Sequence, residues 1–311
     1  MVITAEMIRA IREKTGAGMT DCKKALVEND GDFDAAIDWL RKKGLAAAAS
    51  KSSRVAADGL VGVSSFGNNC AAILEVNSET DFVAKNSKFQ EFVSNAVKLG
   101  SELGAKDADA TLDQLLAMNI GSQSVQSTLT DLIAVIGENL VVRRIKTISV
   151  QNGVVATYAH STVAPGLGKI GVLVALESPG DQAILVEFGK KIAMHIAAAS
   201  PKYLNVSDVP ADVIEHERSI LLEQVQGSDR PAAVLEKMIE GRLRKFYEDV
   251  VLNEQAYIID NKKNISSAVS DLSKELNAPV SISGFVRFAL GDGIQKAEAN
   301  FADEVMSIAN K

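Results

Sequence analysis

Aromatic side chains are scarce in this chain, at 5% of 311 residues with a single Trp. Too few rings are available to build the stacking platforms that grip single-stranded nucleic acid. Basic residues do not make up the deficit, because 33 Lys and Arg face 40 Asp and Glu and leave a formal charge of −7. A protein that coats a polyanionic duplex carries the opposite balance, so no direct nucleic-acid partner is expected. Cysteine is limited to Cys22 and Cys70, far apart and in no CxxC pairing. That excludes a disulfide framework and a thiolate metal site and fits a reducing compartment. No apolar run approaches the ~18 residues of a membrane span. Glu6, Arg9, Arg12 and Glu13 also break the N-terminal stretch where a signal peptide would be uniformly apolar. The expected location is cytoplasmic, with no membrane partner.

The signatures of familiar chemistry are missing as well. The three histidines, His160, His195 and His216, stand in no HExxH pattern, and Glu215, His216, Glu217 and Arg218 read as a solvated helix face. Gly166, Gly168 and Lys169 hint at a phosphate loop, yet Val163 stands where that loop needs its first Gly and Ile170 where it needs Ser or Thr. Asn77, Glu79 and Asp81 alternate like the start of a calcium loop, but Phe82 occupies the sharp-turn position that requires Gly. No GxSxG elbow is present, and no Cys and His can be paired into a triad by spacing. No metal and no cofactor are expected.

What is present is a balanced globular composition, 47% apolar and 23% charged, on a chain long enough for two or more domains. Ile3, Met7, Ile8 and Ile11 recur at helical period before Gly16 and Gly18. A second helix carries Cys22, Ala25 and Leu26, with Thr20 or Asp21 as its cap, and ends at Asn29–Gly31. A third carries Phe33, Ala36, Ile37 and Leu40 and is expected to stop at Gly44, leaving Leu45–Arg54 as a tether. Residues 1–54 hold ten basic and eight acidic residues, so the acid excess belongs to the remainder.

Beyond residue 54 the pattern turns to strands. Leu60–Phe66 and Ala71–Asn77 flank the hairpin signal Gly67-Asn68-Asn69. A helix follows on Phe89, Phe92, Val93, Ala96 and Val97, with Ser87 and Gln90 as an expected capping box, and Leu140–Val150 is β-branched enough for a third strand. The order then recurs with strands Val154–Thr162 and Ile170–Glu177, helix Ile184–Ala199 and a late strand Ser281–Leu290. The fold class is α+β with a duplicated hairpin-helix-strand core. The long insertion in the second copy is a helical hairpin turning at Gly227-Ser228-Asp229, either closed on its own core or projecting as an arm to another protein. Five segments follow: 1–54 as the three-helix module and tether, 55–150 as the first core subdomain, 151–199 with 251–290 as the second, 200–250 as the insertion, and 291–311 with a short terminal helix.

One feature fits no structural period. Phe82, preceded by Thr80 and Asp81 and followed by Val83, is a large aromatic in a polar strand-to-helix connection, where side chains are normally exposed. It either folds back onto the next helix as a staple or is offered as an apolar wedge, beside a carboxylate, to a partner's pocket.

The segments Thr15–Leu26, Val55–Gly59 and Glu79–Asn86, with Ile136–Asn139, Ile192–His195 and Gly284–Phe288, resemble the translation elongation factor Ts family over essentially the whole chain. The resemblance implies an N-terminal module of the ubiquitin-associated type, two related core subdomains, a helical-hairpin insertion and a C-terminal helix. It also implies no bond-making catalysis, so the chain is not expected to be an enzyme. The implied activity is guanine-nucleotide exchange on elongation factor Tu, with Thr80, Asp81, Phe82 and Val83 displacing Mg²⁺ so that GDP leaves. Arg12, Met19 and Lys23 match the surface that meets the nucleotide-binding domain of the GTPase. His160 matches a second contact region, although the Ser161–Lys169 turn is longer than the family pattern, and Phe301, Val305 and Ile308 match the terminal helix that packs on the GTPase. A homodimer or heterotetramer through the helical hairpin stays open. The rival expectation is an adaptor or chaperone-like protein that binds without driving exchange.

Overall fold

The computed structural model describes residues 3–295 except 226–230. Thr4 opens helix α1 (Ala5–Thr15) by accepting the Met7 N–H, and Gly16 closes it in the left-handed conformation that glycine adopts at least cost. Helix α2 (Met19–Glu28) begins after Gly18 with no side-chain cap bond. Neither Thr20 nor Asp21 is therefore its cap; both lie in its first turn, where the Asp21 carboxylate complements the helix dipole. Asp32 caps α3 (Phe33–Lys51) by accepting from the Asp34 and Ala35 N–H groups. Ile11, Cys22, Ala25, Leu26, Ala36 and Leu40 form the core of these three helices.

Helix α3 runs through Gly44 and takes in most of the stretch expected to be a tether. Gly44 is buried, and a Cβ there would lie 3.4 Å from Ala134, so the glycine marks a close helix crossing and not a stop. The alanines that follow are the best helix formers.

Strands β1 (Asp58–Phe66) and β2 (Cys70–Ser78) form the first hairpin. Helix α4 (Ser87–Gly104) follows, capped by Asn86, whose Oδ1 accepts from the N–H groups of Lys88 and Phe89. The Ser87 and Gln90 capping box is thus not formed. Ser87 is already helical, and Gln90 Nε2 donates to the Ala84 carbonyl at 2.8 Å. Then come α5 (Leu112–Ala117), the small hairpin of β3 (Asn119–Ile120) and β4 (Gln123–Ser124), α6 (Val125–Ile136) and β5 (Leu140–Ser149), which pairs with β2.

The second half runs through β6 (Gly153–His160), β7 (Leu167–Gly168), β8 (Ile170–Glu177) and α7 (Gln182–Ala199). The insertion is α8 (Ala211–Val225) and α9 (Ala232–Val250), closed on a small core of its own around Leu221 and Ile239. The expected turn at Gly227-Ser228-Asp229 lies outside the described residues, as do Phe301, Val305 and Ile308. Helix α10 (Ile265–Glu275), which sequence periodicity did not single out, and strand β9 (Ser281–Ala289) complete the described chain.

Besides the β3-β4 hairpin, the described residues form two larger antiparallel sheets, ordered β5-β2-β1-β7 and β6-β8-β9. Val61, Val63, Ala71 and Ile73 of the first pack on Val155, Leu173, Ala175 and Phe288 of the second. Leu60, Ala72, Leu74 and Val76, on the opposite face, pack beneath Phe89, Val93, Ala96 and Val97 of α4. Helix α7 covers the second sheet in the same way through Leu185, Ile192 and Ile196. β2 is consequently buried along all nine residues, with one apolar layer on each side.

The two sheets share a backbone detail. Gly59 and Gly153 both have positive φ, +123° and +152°, and a Cβ at either would collide with a carbonyl oxygen of the adjacent strand, Val76 in one case and Leu176 in the other. Each of those residues borders a register irregularity on the strand's other side, at Glu75/Val76 between β2 and β5 and at Ala175/Leu176 between β8 and β9. A β-bulge changes local twist, and both units place one against the same glycine.

Candidate functional site

β2 ends at Ser78 and α4 starts at Ser87, so the connection 79–86 must turn the chain from the sheet onto the helix above it. The connection is pinned on both flanks. On the strand side, the Thr80 N–H donates to Glu138 Oε2 at 2.9 Å and the Thr80 hydroxyl to Glu138 Oε1 at 2.7 Å, while Ser78 Oγ donates to the Thr80 carbonyl at 2.8 Å. The Asn139 N–H donates to Glu79 Oε1 at 2.6 Å, and Asn139 Nδ2 donates to the Arg54 carbonyl at 2.7 Å. Arg54 also reaches Glu79 with its guanidinium, Nη1 to Oε1 at 3.4 Å.

On the helix side, Val83 and Ala84 are buried in the core beneath α4, and a 3₁₀ turn over Val83–Lys85 leads to the Asn86 cap. Between these anchors only Asp81 and Phe82 protrude. The Phe82 side chain is 74% exposed, so it does not staple back onto α4, and Asp81 is exposed beside it. An apolar ring left in water on a fixed base has the form of the aromatic anchors found at the centres of interfaces.

The other candidate residues fall into two groups. Arg12 is exposed near the end of α1, and Met19 and Lys23 lie one helical turn apart on α2, with Met19 58% exposed. Gly16, three residues before Met19, lies within reach of the Lys88 ammonium of α4 and beside Val135 of α6, so the α1–α2 turn faces the same side of the first core unit as those two residues. His160 stands apart at the end of β6, exposed, with Nδ1 3.1 Å from the Tyr158 hydroxyl.

Neither cysteine offers reactive chemistry. Cys22 and Cys70 are buried, and burial pushes both thiols up from their ordinary value, which favours the protonated, unreactive form. His195 is also buried. Its Nε2 shares a 2.8 Å hydrogen bond with Gln255 Oε1, which makes Nε2 the donor, and Nδ1 then accepts the Ile258 N–H. Desolvation holds this imidazole below its ordinary value. Among the described residues no group of three or more His, Cys, Asp and Glu is arranged to hold a metal ion, and no helix is long and apolar enough to cross a membrane.

Glu138, Asn139 and Arg54 carry no local pattern that would mark them as supports of the tip. Their partners lie 58, 60 and 25 residues away in sequence. Glu138 and Asn139 lie in the run Ile136–Asn139 and Arg54 at the edge of Val55–Gly59, which is the one signal the sequence offers for them.

Comparison with known proteins adds an independent line. The family model described as "Elongation factor TS" matches residues 79–292, a span that begins at the Phe82 connection. The chain is 53% identical over 307 residues to the Elongation factor Ts of Paramagnetospirillum magneticum, covering 99% of this chain and 97% of that protein. It is 52% identical over 309 residues to that of Rhodospirillum rubrum, covering 99% of each. The figure is 49% over 313 residues, again 99% of each, for that of Caulobacter vibrioides.

Proposed function

The chain belongs to the elongation factor Ts family, and on that premise we propose that it acts in translation elongation as a guanine-nucleotide exchange factor for elongation factor Tu, with Asp81 and Phe82 as the working tip. The observation that carries this reading is the exposed Phe82 ring on a base pinned from both sides. Inserted into a cleft of the GTPase, the ring releases the free energy of burying apolar surface. If the cleft must widen to admit it, part of that energy goes into displacing the groups that hold the nucleotide. Asp81 meanwhile brings a carboxylate toward a site that binds Mg²⁺ and phosphates, and a negative charge there weakens the hold on GDP.

Thermodynamic linkage makes the effect mutual, because bound GDP must disfavour this chain by the factor by which the chain disfavours GDP. No bond is made or broken, so the chain is not an enzyme in the bond-making sense. Arg12, Met19 and Lys23 form a second contact beside the tip, and His160 a third on the other sheet. The test is stopped-flow release of a fluorescent GDP from elongation factor Tu. Addition of this chain accelerates release on the present reading, whereas an adaptor would bind the GTPase and leave the rate unchanged.

A further inference from the structure

We propose that Glu138 is a positioning residue for nucleotide exchange, holding the Asp81–Phe82 tip in its working geometry from the opposite end of the first core unit. The proposal rests on the reading of Phe82 given above and extends it to the residues bonded behind the tip. Gly137 ends α6 in the left-handed conformation, φ 85°, and so turns residues 138 and 139 alongside 79 and 80. The two segments are then cross-linked reciprocally. The Glu138 carboxylate takes both the N–H and the hydroxyl of Thr80, at 2.9 and 2.7 Å, and the Glu79 carboxylate takes the Asn139 N–H at 2.6 Å. Hydrogen bonds to an ionised acceptor are the strong kind. Asn139 and Glu79 both also hold Arg54, which follows α3 by a few residues, so the same brace reaches the chain leaving the three-helix module.

Burial of Val83 and Ala84 already anchors the connection on its helix side. The brace fixes the other side, and between them two residues project. Immobilising the tip before contact removes an ordering cost from binding. It also lets a load on the ring be resisted at the base, without which the ring would recoil and the cleft would not open.

The test is a double-mutant cycle on GDP release from elongation factor Tu, paired with amide hydrogen exchange of the free chain. Glu138→Ala removes both acceptors and is expected to slow maximal release about tenfold, the scale of one charged hydrogen bond. Glu138→Gln keeps one acceptor oxygen and loses less. In the Phe82→Ala background Glu138→Ala has no further effect, because the ring it positions is gone. In the free chain the Thr80 amide loses protection in Glu138→Ala, while amides within α4 keep theirs. An equal loss from Glu138→Ala with and without the ring, or an unaltered Thr80 amide, overturns the proposal. A wild-type release rate for Phe82→Ala alone would instead refute the role given to Phe82, and the Thr80 amide would still report whether the brace exists.

Discussion

Truncating Phe82 to Ala is the perturbation on which the functional reading turns. In the free chain the ring is 74% exposed, so its removal takes almost nothing from the core, and stability should stay within about 0.5 kcal/mol of wild type. In a complex that covers the ring, about three quarters of its surface is newly buried. Full burial of a Phe side chain is worth roughly 1.5–3 kcal/mol, so the tip contributes about 1–2 kcal/mol. At a factor of ten per ~1.4 kcal/mol, GDP release should slow by roughly 5- to 30-fold. A vacated slot in the partner adds to that, since cavities cost beyond the transfer of the missing atoms. The assay is stopped-flow release of labelled GDP over a concentration series, alongside urea denaturation of the variant. A variant with wild-type stability and wild-type maximal release would remove Phe82 from the mechanism. A variant that lost release only because it was unfolded would say nothing for the tip, which is why both measurements are needed.

Three further perturbations probe the frame that carries the tip. Gly59→Ala and Gly153→Ala force a Cβ against the Val76 and Leu176 carbonyl oxygens at positive φ, and each should cost about 2 kcal/mol or more in urea denaturation; a neutral result at either would contradict the shared geometry. Glu75 is fully buried and reaches Arg143 Nη1 at 3.1 Å, Arg144 Nε at 2.6 Å and the Gly291 N–H at 2.8 Å, so Glu75→Ala removes an acceptor shared by two part-exposed guanidinium groups, which keep their bonds to the Asp292 and Ala289 carbonyls, and should cost about 1–3 kcal/mol by thermal melting. His195, held neutral below its ordinary value of 6.5 by desolvation, binds a proton less readily folded than unfolded. Its contribution to stability is therefore complete above 6.5 and is lost as pH falls toward the depressed value. Urea midpoints at about pH 5 and about pH 8 should differ more for wild type than for His195→Gln, and equal differences would show that another group sets the acid limb.

How much of this could be read from the sequence follows the range over which each signal acts. The α4 stripe of Phe89, Phe92, Val93, Ala96 and Val97 and the Gly67-Asn68-Asn69 turn are local patterns, and the structure has both where expected. Gly44 packs near Ala134, ninety residues away, and a glycine looks the same in a helix stop and a helix crossing. Asn86 and Ser87 are both good caps, and only the extended backbone at Asn86 decides between them. Glu75 stands in an apolar strand without any nearby sign that β5 supplies two arginines. Phe82 stands out as an aromatic in a polar connection, but a staple and an exposed tip are written with the same letters. What separates them is exposure, a property of the folded chain.

The two sheets and their covering helices are built alike. Both units share the hairpin, the positive-φ glycine, the register irregularity and the covering helix. They differ in their connections. The second unit passes from β8 to α7 through residues 178–181, with Asp181 capping the helix, whereas the first uses residues 79–86 for the same step. A short turn therefore suffices for the step from sheet to helix, and on the proposed function the extra length in the first unit, braced to Glu138, carries Asp81 and Phe82. The hairpin loops differ in the opposite sense, with residues 67–69 in the first unit and 161–169 in the second. His160 stands at the start of that longer loop. Selection for folding alone gives no reason for two copies of one scaffold to lengthen different connections and to place a candidate contact residue at each. On the proposed function, contact with one partner through both accounts for it, and the shared core of Val61, Ile73, Leu173 and Phe288 holds the two sheets in the fixed relation such contact requires.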